Sequence, residues 1–251
     1  MPSTSTTSKE MFNGRVLVIT GAGVSAESGI PTFRGKDGYW RNLNPTKLAT
    51  PEAFGHDPNL VWDWYRERRQ RIRTAQPNPA HQAIAKLAKQ AGEFLLVTQN
   101  VDDLHRRAGL PSEKMVQIHG DIFITRCSRC DFRRQEHEHD DDGSLPKCPE
   151  CSARMRPGVV WFGEQLDPAN IGIVENFVAA GDCDVIIVAG TTALFGYIID
   201  WALRARGRTG QLIEVNPEET SLSQFATKSV RERAGVALPR LVHELLSSFS
   251  A

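Results

Sequence analysis

Two cysteine pairs, Cys127-x-x-Cys130 and Cys148-x-x-Cys151, hold four of the chain's five cysteines. Each pair sets two sulfurs on one tight turn, and two such turns complete a tetrahedral four-thiolate site for zinc. Four thiolates leave no open corner for water, so Cys127, Cys130, Cys148 and Cys151 are expected to hold one structural Zn²⁺. The alternative is two disulfides or plain buried thiols. It suits a secreted chain, and nothing here suggests secretion. The N-terminal MPSTSTTSKE lacks the apolar core of a secretory signal and the arginines of a mitochondrial transit peptide. A reducing compartment is expected, most simply the cytoplasm. Chemistry is to be sought on either side of the metal unit.

There the sequence reads as strands alternating with helices. RVLVITGAG (Arg15–Gly23) is a compact β-branched run ending in glycines, as a buried parallel strand ends in a phosphate-cradling turn. EFLLVTQN, CDVIIVAGTT and QLIEVN are similar runs, with helical AHQAIAKLAKQAG and ANIGIVENFVAAG between them and LPRLVHELLSSF closing the chain. The expected fold class is α/β: a Rossmann-like doubly wound parallel sheet with a smaller zinc-binding and helical domain. Residues 1–13 are expected to be a disordered lead. Residues 14–34, 79–120 and 158–251 would form the sheet domain. The small domain would combine a helical part, 35–78, interrupted by prolines, with a zinc-ribbon part, 121–157. The acidic run EHEHDDDG within the latter reads as an exposed loop; with four thiolates available, His137 and His139 are not expected as ligands. Thirty Lys and Arg balance thirty Asp and Glu, so no global field recruits nucleic acid or a membrane surface. No apolar run approaches the roughly 18 residues that span a bilayer.

Gly21-Ala22-Gly23-Val24-Ser25-Ala26 fits the dinucleotide fingerprint G-x-G-x-x-G/A after a strand. The acidic ribose reader expected about 20 residues on, at the end of a second strand, is missing. The loop SGIPTFRG stands there instead. Ordinary hydride transfer is therefore disfavoured, and a dinucleotide remains expected.

The segments GAGVSAESGIPTFRG, TQNVDDLHRRAG, IHG (Ile118–Gly120) and GVVWFGE (Gly158–Glu164), together with the cysteines, resemble the sirtuin family of NAD-dependent protein-lysine deacylases, in the family's order. The resemblance implies that NAD is consumed: the acyl-lysine oxygen attacks C1′ of the nicotinamide ribose, nicotinamide leaves, and the acyl group ends on ADP-ribose. It implies that His119 is the general base, suited by a titration near neutrality, and that Asn100 holds a ribose hydroxyl and a water. Asp102 would accept from the nicotinamide carboxamide and Gln99 would hold the ribose. Gly21, Ala22, Gly23 and Ser25 would form the phosphate turn. In the loop Ile30–Arg34, with Thr32, Phe33 would shield the reactive centre and Arg34 would pair with phosphate. Gly190, Thr191 and Thr192 stand where the family has G-T-S; Asn216 would meet the adenosine ribose and Ala234 the adenine. Leu194-Phe195-Gly196-Tyr197 departs from the family's V-x-P-A.

Tyr65-x-x-Arg68, with Ala49 as the small residue that widens the pocket, resembles the branch that removes succinyl, malonyl and glutaryl groups. A buried carboxylate needs a cation and hydrogen bonds, which an arginine fork and a phenol supply. Bacterial members of that branch commonly act on acetyl-lysine too, so dual activity is expected. Val160, Phe162 and Gly163 would meet an acyl-lysine peptide laid along the strand GVVWFGE. Competing readings are a sirtuin-like ADP-ribosyltransferase, an acetyl-only deacetylase, a dead NAD-binding module, and a zinc-ribbon nucleic-acid binder, which zero net charge disfavours.

Overall fold

Val16 to Thr20, the residues that lead into the glycine turn, are buried on both sides because their strand runs through the middle of a sheet. A computed structural model describes residues 12–32, 44–136 and 143–248. Most of the expected disordered lead lies outside the described residues, as do Phe33, Arg34, the helical part up to residue 43, and residues 137–142 of the acidic run.

Strand β1 (Phe12–Thr20) pairs in parallel with β2 (Ala91–Thr98), and β2 with β3 (Met115–Gln117). On its other side β1 pairs with β7 (Val185–Ala189), followed by β8 (Gln211–Val215) and β9 (Lys228–Val230). The six-stranded order is β3-β2-β1-β7-β8-β9. β3 and β9 were not foreseen; three residues make no readable apolar run. Successive residues alternate between two faces. Val16 and Val18 join one core beneath α5 (Pro79–Gln90) and α9 (Ala234–Ser248). Leu17 and Ile19 join the other, beneath α7 (Pro168–Ala179) and α8 (Gly196–Arg206). The strand order reverses between β1 and β7, so the crevice of the doubly wound sheet opens beyond Thr20 and Ala189.

Three prolines of the helical part begin helices rather than interrupt them, while Pro77 lies in the connection that follows the last of these helices. Pro45, Pro51 and Pro58 are the first residues of α2 (Pro45–Leu48), α3 (Pro51–His56) and α4 (Pro58–Thr74). Proline suits that position, where its missing N–H would have no partner. The residues before them, Asn44, Thr50 and Asp57, cap the helices by accepting from Thr46, Ala53 and Leu60 N–H, each at 3.0 Å.

α4 packs on an antiparallel sheet of β4 (Gly120–Cys127), β5 (Arg133–Gln135) and β6 (Met155–Val159), in the order β5-β4-β6. Trp62, Trp64 and Tyr65 of α4 share a core with Ile122, Phe123 and Val159. β4 thus runs from the crevice, where His119 precedes it, to Cys127. At its start Gly120 has φ +83°, and a Cβ there would meet the Gly158 carbonyl oxygen at 2.2 Å, so only glycine fits.

Candidate active site

Two turns close the bottom of the crevice. Gly21 N–H donates to Ala189 O at 3.0 Å, and Gly23 N–H donates to Gly190 O at 2.8 Å. A Cβ on Gly23 would lie 2.8 Å from Gly190 Cα, and Gly190 takes φ +61°. The close approach that the fingerprint glycines allow is first of all between these two turns.

Above them lies a cavity of about 530 Å³, the size of a small-molecule site. Gly21, Ala22, Gly23, Ser25, Thr32, Gln99, Asn100, Asp102, His119, Gly190, Thr191, Thr192 and Asn216 all line it. So do Ala49, Tyr65, Arg68, Val160, Phe162 and Gly163. Ala234 does not: it opens α9 and is buried in the core under α5 and α9. Phe33 and Arg34 lie outside the described residues. Trp161, Glu164, Phe195 and Tyr197 line the cavity without having been assigned roles in the sequence. The first two sit inside GVVWFGE, and the last two inside Leu194-Phe195-Gly196-Tyr197.

His119 sits in the turn between β3 and β4. Its Nδ1 lies 3.0 Å from the Gln99 carbonyl oxygen, which can only accept, so Nδ1 carries the proton. Nε2 is then the ring's acceptor and lies 2.7 Å from the Tyr197 hydroxyl. Burial lowers the pKa of His119, and the Gln99 bond offsets this only in part, so the ring is held neutral. Gln99 Nε2 donates to Thr191 Oγ1 at 2.9 Å, tying the β2 turn to the β7 turn. Asn216 Nδ2 donates to Thr191 O at 2.9 Å.

A buried chain runs below. Asn78 N–H donates to His81 Nδ1 at 3.3 Å, which leaves Nε2–H to face Ser25 Oγ at 3.4 Å. Ser25 Oγ–H donates to Asp102 Oδ2 at 2.9 Å and accepts from Asn100 Nδ2 at 3.1 Å. Burial pushes Asp102 above the usual carboxylate range, against its bonds from Leu104 N–H and Ser25. Burial pushes His81 down to about 4 and His105, ring to ring with it at 4.7 Å, down as well.

The three arginines of WYRERR part company. Arg66 pairs with Asp63 at 3.1 Å. Arg69, buried, donates from Nε to Ile122 O at 2.7 Å and from a terminal nitrogen to Thr125 Oγ1 at 3.0 Å. Arg68 lines the cavity, its guanidinium 5.1 Å from the Trp64 ring centre, and burial lowers its pKa. Tyr65 beside it accepts from Trp161 Nε1–H at 2.9 Å, and burial pushes its phenol up to about 12. Arg156 lies 3.3 Å over the Trp161 ring and pairs with Glu164.

β6 takes only Gly158 and Val159 of GVVWFGE. Beyond Val159 the amide groups turn inward: Val160 N–H donates to His119 O and Phe162 N–H to Ala49 O, each at 2.9 Å, while Trp161 N–H donates to Glu164 Oε2 at 2.8 Å. The expected strand is therefore a strand end followed by a turn.

Residues 21–195 match the Sir2 family. A protein of Archaeoglobus fulgidus named NAD-dependent protein deacylase 1 is 45% identical over 94% of each chain. The chain belongs to the Sir2 family. An NAD-dependent protein deacylase of Aquifex aeolicus is 42% identical over 96% of this chain and 99% of its own length. A solved structure described as a Sir2 homolog–NAD complex superposes with a TM-score of 0.85 at 44% identity, over 94% of this chain and 91% of that one.

The Sir2 fold and the residues present fit both groups the sequence implies. Cys127, Cys130, Cys148 and Cys151 have their sulfurs within 4.8 Å of one another, with Cys127–Cys151 at 3.4 Å and Cys130–Cys148 at 3.5 Å. A tetrahedron with Zn–S of about 2.3 Å places its sulfurs about 3.8 Å apart. All five cysteines are unbridged, and Cys183 is a buried core thiol whose pKa burial raises to about 11. For NAD, the cavity lies at the switch point of the sheet and presents amide, hydroxyl and imidazole groups from three turns. Among the described residues, no helix is long and apolar enough to cross a membrane.

Proposed function

We propose that this chain is an NAD-dependent protein-lysine deacylase that removes succinyl- and malonyl-type groups as well as acetyl, leaving nicotinamide and O-acyl-ADP-ribose. The observation that carries this reading is the convergence of Tyr65, Arg68 and His119 on one cavity. Arg68 and Tyr65 line that cavity together, and a terminal acyl carboxylate would meet a counter-charge and hydrogen-bond donors there, which an acetyl group cannot use.

When bound, NAD supplies an electrophilic ribose carbon with nicotinamide as leaving group, and the sugar that receives the acyl chain. Gly21 to Ser25, Thr191, Thr192 and Asn216 would hold its phosphates and sugars. Thr32, with Phe33 and Arg34, would cover it. Asn100 would orient a ribose hydroxyl and Asp102 the carboxamide. His119, neutral and with its proton on Nδ1, accepts a hydroxyl proton at Nε2. At the acyl end Ala49 leaves room, Arg68 forms the ion pair, and Tyr65 donates its own O–H while accepting from Trp161. Val160, Phe162 and Gly163 stand at the rim that a peptide would meet, with Phe162 39% exposed.

The test is turnover of one peptide carrying either acetyl-lysine or succinyl-lysine, with and without NAD, read by mass spectrometry, for the wild type and Arg68→Met. NAD-dependent loss of succinyl that Arg68→Met abolishes while acetyl loss persists is the expected result. Acetyl loss alone in the wild type would refute the acidic-acyl reading. Transfer of ADP-ribose to protein without acyl loss would replace the deacylase reading.

A further inference from the structure

His119 has one lone pair to offer, and two groups claim it. Its Nδ1–H is committed to the Gln99 carbonyl oxygen, so acceptance falls to Nε2. In the structure Nε2 accepts from the Tyr197 O–H at 2.7 Å. The ribose hydroxyl that His119 deprotonates under the proposed function needs the same lone pair. A neutral imidazole nitrogen has one in-plane acceptor position, so the two bonds exclude each other.

Tyr197 is placed for this by packing. Its ring stacks on Phe195 at 5.5 Å and 13°, and rests on Trp201 at 5.0 Å. Phe195 in turn lies edge-on to His119 at 5.7 Å. Both aromatic residues line the cavity. They belong to the segment Leu194-Phe195-Gly196-Tyr197, which leads from the β7 turn into α8.

We infer that Tyr197 is a gating residue of the base: its hydroxyl occupies His119 Nε2 and must withdraw before the sugar hydroxyl of NAD can be deprotonated there. This rests on the reading of His119 as the base. The phenol keeps its own proton throughout; burial raises its pKa and keeps it a donor. Tyr197 and NAD are thus competitors for one atom, and the contact lowers the apparent affinity for NAD without taking part in the chemistry.

The test is Tyr197→Phe, which removes the hydroxyl and keeps the ring on Phe195 and Trp201. NAD should bind about three- to tenfold tighter by calorimetry, the range spanned by one ordinary hydrogen bond. The KM for NAD should fall by the same factor, while kcat holds. Unchanged or weaker NAD binding overturns the gate. A tenfold or larger loss of kcat also overturns it, and assigns the phenol to proton transfer instead. Nitrogen NMR of the labelled histidine rings is a second readout: loss of the hydroxyl should shift the His119 Nε2 resonance and leave Nδ1 in place. A variant spectrum identical to that of the wild type refutes the contact. If the wild type binds NAD but removes no acyl group, the deacylase reading falls, and the calorimetry and NMR still decide the role of Tyr197.

Discussion

The indole Nε1–H of Trp161 donates to the Tyr65 hydroxyl across 2.9 Å. This bond joins α4 to the turn after β6 and leaves the phenol its own proton to donate. Tyr65→Phe removes the acceptor and leaves a buried indole N–H unpaired. The expected cost is about 1–3 kcal/mol of stability, read by urea unfolding. The same variant should lose far more activity on succinyl-lysine than on acetyl-lysine. Equal losses on the two would show that Tyr65 only supports the wall.

Arg66, Arg68 and Arg69 should behave as three different residues. Arg66→Met loses a pair with half-exposed Asp63 and a bond to Ser144 O, and should cost about 1 kcal/mol. Arg69→Met leaves Ile122 O and Thr125 Oγ1 without their donor, and should cost about 2–4 kcal/mol. Arg68→Met should leave stability near the wild type and move acyl preference. Denaturation curves of the three variants side by side decide it; a stable Arg69→Met would break the assignment.

The pH profile follows from His119. Burial disfavours the imidazolium, so its pKa lies below the ordinary value and the base form persists as pH falls. kcat/KM should stay level through about pH 6.5, the ordinary histidine value, and decline only below it. His119→Ala should lose about 10²- to 10⁴-fold in turnover while calorimetry still detects NAD. An acidic limb above the ordinary histidine value would contradict the burial argument.

His81 makes the fold acid-sensitive. Its folded pKa is about 4, against about 6.5 in an unfolded chain. Between these values the unfolded state binds the proton and the native state does not, so stability falls as pH drops through that window. The full loss from His81 is about 3 kcal/mol, and His105 shifts in the same direction. Thermal unfolding followed from pH 7 to pH 4 should show the decline. A flat profile would mean that these histidines take up protons as readily in the native state as in the unfolded chain.

Metal removal should act through folding. Beyond the four cysteines, their local core holds Met155, Phe132 and Ala153, too little to hold the cysteine-bearing end of β4, β5 and β6 together without a ligand, and a closed thiolate site contributes folding free energy directly. Chelation under reducing conditions should unfold this end of the sheet, which leans on the α4 core only at its other end, and abolish activity, with one equivalent of zinc released. Activity that survives complete metal loss would show that the site is not structural.

Much of this protein is legible along the chain, because the signals are local. The apolar runs of β1, β2, β7 and β8, the glycines at Gly21 and Gly190, the cysteine spacing and the segment around His119 each lie within a few residues of one another. What only the tertiary structure decided depends on contacts between distant segments. Three neighbouring arginines on one helix reach an acidic neighbour one turn back, the cavity and a strand backbone, and their spacing alone does not say which goes where. Helical periodicity gives each a direction, but the partner at the end of that direction comes from β4 or from the turn after β6. Ala234 belongs to the core because α9 packs there, whatever its distance along the chain from the last strand. The bond from Tyr197 to His119 joins residues 78 apart in sequence. It exists because the turn after β3 and the start of α8 both open onto the crevice, where the strand order reverses.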